Sequence, residues 1–186
     1  MRITAARLAC IAFGVTITCA CGQKVRAPMS ISLTSTAFGP NQAIPAKYTC
    51  QGANLSPPLA WTGLPQGTRS LALVVDDPDA PDPAHPRMTW VHWVVYDLPP
   101  DLTGLPEGAG KQSGAAGGRD GLNGWDQTLW NGPCPPIGRH RYFFKLFALD
   151  TLLGNRGQLS SETLQKAMDG HILARGELVG TYQKSR

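Results

Sequence analysis

The chain has 186 residues, a formal net charge of +4, 21 glycines and 16 prolines. Its basic side chains are scattered singly, and this distribution argues against nucleic-acid binding, which requires Lys and Arg gathered on one face. The length suits one domain with a full hydrophobic core.

The first twenty residues form a predicted targeting segment. Arg2 and Arg7 give it a positive start, and the apolar run from Leu8 to Thr18 is too short to span a bilayer comfortably. Cleavage before Cys21 would leave 166 residues (186 minus 20) and a formal charge of +2, because the two arginines are removed. We therefore expect an exported protein, located in the periplasm or cell envelope.

The end of this segment resembles a bacterial lipoprotein cleavage box, with small residues before Cys21 as the lipidated first residue. Such boxes usually carry Leu three places before the cysteine, and this chain has Thr18 there. The alternative is ordinary secretion with cleavage nearby. In either case residues 21–30 are predicted to be a polar tether.

Cysteine counting after cleavage leaves two thiols. Cys10 and Cys19 depart with the signal and Cys21 is lipidated or lost, so Cys50 and Cys134 remain. In an oxidising compartment an even remainder favours a disulfide. It would close a loop of about 85 residues and stabilise the fold by about 3 to 4 kcal/mol in the chain-entropy model. The alternative is two buried thiols.

Three apolar runs rich in β-branched and aromatic residues predict central strands at 70–76, 90–96 and 141–149. Their near-continuous apolarity indicates that both faces of each strand are covered. The segment 108–124 holds seven glycines and is predicted to be a long flexible loop.

A single segment has a convincing helical period, with Ser160 or Ser161 as the N-cap and apolar residues at helix spacing from Leu164 to Ile172. A last strand is predicted around 177–182. The expected class is therefore all-β, an antiparallel β-sandwich with one or two short helices, in a domain spanning residues 31–186.

Alternation along the predicted strands decides which side chains meet, because every second residue shares a face. Three sets follow: Trp90, His92, Val94 and Tyr96; His140, Tyr142, Phe144 and Leu146; Leu71, Leu73, Val75 and Asp77. If the strands are neighbours, Asp77, His92, His140 and Tyr142 converge near the strand ends.

A carboxylate beside imidazoles holds them in their charged or donor form, and such a pocket suits an anion. Backbone N–H groups around Gly132 and Gly138 would add donors. The fitting ligands are phosphate, a phosphomonoester or a carboxylate.

Two other chemistries compete with anion binding. Two histidines and a carboxylate also describe a metal triad, but the chain lacks a tight His-x-Asp or His-x-His pair, and no metal or cofactor is expected. A weak hydrolase could activate water with Asp77, His92 and His140, although no Ser, Thr or Cys pairs obviously with a histidine. A binding protein rather than an enzyme is expected.

Several motifs together resemble the phosphatidylethanolamine-binding protein family, in its bacterial Raf-kinase-inhibitor-like branch. They are the Asp-Pro-Asp-Ala-Pro segment from Asp77, the Trp-x-His-Trp strand from Trp90 and the Gly-Pro-Cys-Pro-Pro-x-Gly-x-His-Arg-Tyr segment from Gly132. The similarity covers Ile31 to Tyr182. It implies a β-sandwich with a small anion pocket and assigns that pocket to Asp77, Pro81, Trp90, His92, Gly132, Pro133, His140 and Tyr142.

The resemblance also implies partners. Bacterial relatives tend to pair as homodimers, and members have been associated with inhibition of a protease or another protein. Eukaryotic members close the pocket with a C-terminal helix, whereas this sequence ends soon after Tyr182, so kinase regulation is not carried over.

Overall fold

A computed structural model describes residues 29–185, which fold into two β-sheets and one α-helix. The larger sheet has six strands in the spatial order β1 (Met29–Ser30), β9 (Ile172–Gln183), β8 (Arg139–Leu149), β4 (Ser70–Ala80), β5 (Met88–Leu98) and β7 (Arg119–Asp120). The smaller sheet has β2 (Ser32–Thr34), β3 (Leu59–Thr62) and β6 (Gly104–Leu105). All pairs are antiparallel except β1 with β9.

The predicted all-β class is confirmed, and the three central strands lie side by side in the order β8-β4-β5. Each is longer than predicted, because pairing continues into the polar residues that follow or precede the apolar run. The ladder also begins at Met29, inside the predicted tether. The targeting segment and Cys21 lie outside the described residues.

The main core lies between the two sheets. Leu73, Val75 and Phe144 of the large sheet pack with Leu33 and Trp61 of the small sheet, and all five are buried. The strands of the small sheet are two to four residues long, so this sheet covers only part of the large one. The end of β4 and the starts of β5 and β8 lie beyond it and line a cavity.

The opposite face of the large sheet is covered by α1 (Ser161–Met168). Ser160 caps this helix by accepting the Thr163 N–H, and Leu164 and Met168 pack onto Val94 and other residues of the sheet. Both faces of the central strands are therefore buried, as their apolarity predicted. No helix within residues 29–185 is long and apolar enough to cross a membrane.

The glycine-rich segment 108–124 is more structured than the predicted flexible loop. It contains two 3-10 turns, Ala109–Lys111 and Ala115–Gly117, and then β7. A Cβ at Gly110 would lie 2.6 Å from Trp130 Cβ, and one at Gly121 would lie 2.4 Å from Val94 Cγ1. These glycines are needed for close packing against the core.

A disulfide joins Cys50 to Cys134, as predicted. It is accompanied by a hydrogen bond from the Cys50 N–H to the Pro133 carbonyl, 3.1 Å long. The disulfide fixes the segment that precedes β8 onto the loop that follows the 3-10 turn Ala46–Tyr48.

Replacing both cysteines (Cys50→Ala with Cys134→Ala) is expected to lower the free energy of unfolding by about 3 to 4 kcal/mol, because the denatured chain regains the freedom of the loop. Urea denaturation at neutral pH measures this. Reductant should lower the stability of the wild type by a similar amount and leave the double variant unchanged. Equal midpoints for oxidised and reduced wild type would contradict the prediction.

Candidate functional site

A cavity of about 240 Å³ opens at the end of the large sheet, on the face towards the small sheet. Six of the eight residues assigned to the site by resemblance line it: Asp77, Pro81, Trp90, His92, His140 and Tyr142. The site residues thus come from three adjacent strands and the turn after β4.

The centre of the site is a buried pair between Asp77 and His140. The His140 Nδ1 lies 2.7 Å from Asp77 Oδ2, and its Nε2 lies 2.9 Å from the Ile137 carbonyl oxygen. The other carboxyl oxygen, Oδ1, accepts the Asp79 N–H at 2.8 Å. Burial raises the pKa of the Asp77 carboxyl, and the hydrogen bond from His140 opposes this. A carbonyl oxygen only accepts, so Nε2 donates to Ile137, and with one further proton between Nδ1 and Oδ2 the pair has no net charge in this geometry.

A β-bulge places His92 in the same cavity. Val75 pairs with Trp93 and the next residue of β4, Asp76, pairs with Val91, so His92 is an extra residue in β5. Trp93 belongs to the core between the sheets, whereas Val91 packs against the core under α1.

The bulge corrects the predicted alternation along β5. Trp90 and His92 do share the cavity, but Val94 and Tyr96 belong to the core on the opposite face. The extra residue resets the parity, and strict alternation could not reveal it. The sets predicted for β8 and β4 hold, because Tyr142, Phe144 and Leu146 face the core between the sheets as Leu71, Leu73 and Val75 do.

The buried imidazole of His92 is 3% exposed and contacts neither Asp77 nor another carboxylate. Its Nδ1 lies 2.5 Å from the Asn131 carbonyl oxygen. Burial lowers the pKa of His92 to about 4, so the ring is neutral at physiological pH. Of the two expected forms, charged or donor, His92 is in the donor form: burial disfavours the imidazolium, and Nδ1 contacts a backbone carbonyl instead of a carboxylate.

Tyr142 completes the polar floor, with its ring set edge-on to His92 at 5.2 Å between ring centroids. Burial, and secondarily the Asp77 charge, raise the pKa of Tyr142 well above its ordinary value, so it carries its proton. Within residues 29–185, neither Tyr142 Oη nor His92 Nε2 has a hydrogen-bond partner. A buried polar atom without a partner costs about 1 to 3 kcal/mol, so both atoms are poised for a ligand.

Two predicted site residues do not line the cavity. The Gly132 N–H donates to Asn54 Oδ1 at 2.7 Å, and the Pro133 carbonyl accepts from Cys50. A Cβ at Gly132 would lie 2.3 Å from the Tyr48 carbonyl oxygen, so this position must be glycine for packing. Both residues thus connect the segment before β8 to the loop of residues 50–54, rather than contacting the cavity.

The remaining walls were not among the predicted site residues, although four of them lie within the two motifs that predicted the pocket: Ala80, Cys134, Pro135 and Pro136. Met88 and Trp125 lie outside those motifs, and the sequence reasoning missed them. Trp125 lies edge-on to Trp90 at 5.2 Å and to His92 at 5.4 Å between ring centroids. A Cβ at Gly124 would lie 2.7 Å from Trp90 Cε2, so glycine is needed there for close packing against Trp90. The sequence Gly124-Trp125 was therefore a local signal for this contact.

Two cations of β8 are paired with carboxylates of β4. Arg141 binds Asp79 through Nε and Nη2, at 2.9 and 2.6 Å, and this contact lowers the pKa of Asp79. Lys145 Nζ lies 2.7 Å from Asp76 Oδ2. These pairs join β4 to β8 and leave the basic groups unavailable to the cavity.

The cavity therefore offers one O–H donor and one ring nitrogen above a neutral pair. Among the described residues that line it there is no lysine, arginine, serine or threonine. No group of three or more metal-ligating side chains is found in the part of the chain that the structure describes. The arrangement can bind a small polar group, with specificity set by hydrogen bonds.

Comparisons with known proteins agree with this architecture. The family model "Phosphatidylethanolamine-binding protein" matches residues 34–183. A UPF0098 protein of Methanothermobacter thermautotrophicus is 44% identical over 155 residues, covering 83% of this chain and 99% of its own.

Two solved structures are similar to this one. A phosphatidylethanolamine-binding protein homologue from Chlamydia trachomatis is 43% identical with a TM-score of 0.77, covering 84% of this chain and 99% of its own. YbcL of E. coli, described as a member of the mammalian PEBP family, is 30% identical with a TM-score of 0.74, covering 83% and 99%.

The buried neutral His92 predicts a pH dependence of stability. The unfolded ring titrates near 6.5 and the folded ring near 4, so between these values the unfolded state binds more protons. Stability should fall as pH drops from 6.5 to 4, by about 3 kcal/mol from this group. Urea denaturation across this range should show a flatter profile for His92→Gln than for wild type.

The matched control is His171→Gln, which removes an exposed histidine paired with Asp150 at 2.8 Å. Its profile should keep the steepness that the His92 variant loses. If wild type and His92→Gln lose stability in parallel below pH 6.5, the neutral assignment of His92 is wrong.

Proposed function

The chain belongs to the phosphatidylethanolamine-binding protein family, and on that premise we propose that its cavity binds the acidic group of a small ligand. The ligand is a phosphate, a phosphomonoester, a phospholipid headgroup or a carboxylate. The observation that carries this proposal is that two buried atoms of the cavity lining, Tyr142 Oη and His92 Nε2, have no hydrogen-bond partner in the part of the chain that the structure describes. A ligand oxygen would accept from the Tyr142 hydroxyl.

The cavity walls fit an acidic group that carries a small organic substituent. Above the polar floor the lining is apolar, and Met88 and Trp125 line the mouth at 49% and 41% exposure. Ile137, whose carbonyl is bound by His140, is 59% exposed. An organic substituent of the ligand would bury part of this rim.

Binding rather than hydrolysis is supported by the state of the candidate catalytic groups. Both nitrogens of His140 are occupied, by Asp77 and by the Ile137 carbonyl. Cys134 is in the disulfide and is not a nucleophile. His92 alone keeps an available nitrogen, and no described residue of the lining offers a hydroxyl for it to activate other than Tyr142.

Tyr142→Phe is expected to weaken binding of inorganic phosphate and phosphoethanolamine about ten- to a hundredfold. The reason is that a hydrogen bond to a charged group contributes about 1.5 to 3 kcal/mol. Nuclear magnetic resonance titration of amide signals measures the affinities. Tyr96→Phe, which removes a hydroxyl bound to the Gly157 carbonyl on the opposite face, is the control and should bind as wild type does.

The proposal is overturned if neither compound moves a resonance of His92, His140 or Tyr142 in the wild type. Equal affinity of Tyr142→Phe and wild type would remove the role given to the hydroxyl.

We also propose that the protein acts outside the cytoplasm, either released or tethered to the membrane through Cys21. We propose further that it forms a homodimer. The support is the sequence of the first 21 residues for the location and the family resemblance for the dimer.

Expressed from its full sequence in a Gram-negative host, the protein is expected to lose its first 20 residues. Intact mass of the envelope fraction distinguishes a lipid-modified Cys21 from plain secretion, and light scattering of the purified protein should give twice the chain mass. Recovery of the full-length chain from the cytoplasm would contradict export.

A further inference from the structure

The hydrogen bond of His92 to Asn131 fixes which ring nitrogen carries the proton. A carbonyl oxygen only accepts, so Nδ1 must be the N–H donor in this contact. In a neutral imidazole the other nitrogen, Nε2, then has a free lone pair. This atom is buried, belongs to a side chain that lines the cavity, and has no partner within residues 29–185.

None of the described groups packed around His92 donates a hydrogen bond to the Nε2 lone pair. Asp77 from β4 and His140 from β8 are engaged with each other, and the second nitrogen of His140 is bound to the Ile137 carbonyl. Among residues 29–185 the Tyr142 hydroxyl has no hydrogen-bond partner, although the Asp77 carboxylate helps to raise its pKa. The indole of Trp125 lies edge-on to the ring of His92 and to the indole of Trp90. A donor for Nε2 must therefore come from the ligand.

We propose that His92 Nε2 makes the cavity selective for oxyacids that carry a proton, so that phosphate and phosphomonoesters bind in preference to sulfate and phosphodiesters. The inference rests on the proposed function and narrows its ligand class. One ligand oxygen accepts from Tyr142, and the acid's O–H donates to His92.

Proton count separates the candidate ligands. A phosphomonoester has a second pKa of about 6, so near neutral pH it exists partly as a monoanion with an O–H group. Sulfate and phosphodiesters carry no proton there. They can bind only after His92 takes up a proton from solvent, and this lowers their affinity about tenfold for each pH unit above the pKa of the ring.

The test compares methyl phosphate, sulfate and dimethyl phosphate by calorimetric titration of the wild-type protein from pH 5 to pH 8. At pH 7 methyl phosphate should bind at least tenfold more tightly than the other two. The affinity of sulfate should fall about tenfold per pH unit over the whole range, whereas that of methyl phosphate should fall only above about pH 6. Buffers of different ionisation enthalpy should report uptake of one proton per sulfate bound.

His92→Gln tests the assignment to this residue. An amide side chain can donate or accept, so the variant should bind sulfate and methyl phosphate with similar affinity and without the steep pH dependence. His171→Gln, far from the cavity, should keep the wild-type discrimination. A proton uptake that persists in His92→Gln would assign the proton to the Asp77–His140 pair and overturn the inference.

A measurement on the wild type alone guards against a variant that fails to fold. In ¹⁵N-labelled, ligand-free protein at pH 7, the Nε2 signal of His92 should be that of an unprotonated ring nitrogen. A protonated Nε2 overturns the inference even if phosphate binds. Equal affinities for sulfate and methyl phosphate overturn it while leaving the proposed function intact, whereas binding of none of the three anions removes both.

Discussion

One extra residue in β5 determines how the central strands build both a core and a cavity. Because His92 is inserted opposite the step from Val75 to Asp76, the strand changes parity there. Trp93 then faces the core between the sheets, Val94 faces α1, and the ring of His92 reaches Tyr142. Without the bulge, strict alternation would put His92 and Trp93 on opposite faces of the sheet, and the core or the cavity would lose a wall.

The polar residues at the end of β4 connect two neighbouring strands while keeping charge out of the cavity. Asp77 binds His140, and Asp79 binds Arg141. Asp79 lies in a second irregularity of the β4–β5 ladder, because β4 has an extra residue between Asp77 and Ala80. Adjacent residues of β8 thus receive partners from alternate residues of β4. The guanidinium is neutralised by this contact, and the lining contributed by residues 29–185 has hydrogen-bonding groups but no lysine or arginine.

The sequence was sufficient to predict the three central strands, the last strand, the disulfide and the convergence of Asp77 with His140 and Tyr142, because these depend on apolar runs, cysteine parity and uniform alternation. It was insufficient for the short strands of the small sheet and for His92, whose charge depends on burial and whose tautomer depends on a backbone carbonyl. The roles of Gly132 and Trp125 depend on how loops pack in three dimensions. The neighbouring prolines indicate a rigid backbone at Gly132, but they do not indicate which surface this residue contacts.

Two buried polar atoms of the cavity lining, Tyr142 Oη and His92 Nε2, have no hydrogen-bond partner among residues 29–185. A buried polar group left unsatisfied costs about 1 to 3 kcal/mol, so a partner supplied by a ligand would be favourable. Three neighbouring segments hold these two atoms in place: β5 is fixed by its ladder, the segment before β8 by the disulfide, and β8 by three carboxylates of β4. A ligand that satisfies both atoms recovers this cost without reorganising the protein. Rigidity and unmet hydrogen-bonding capacity together therefore favour recognition of a small group whose donor and acceptor match the two atoms, rather than attraction of any anion by charge.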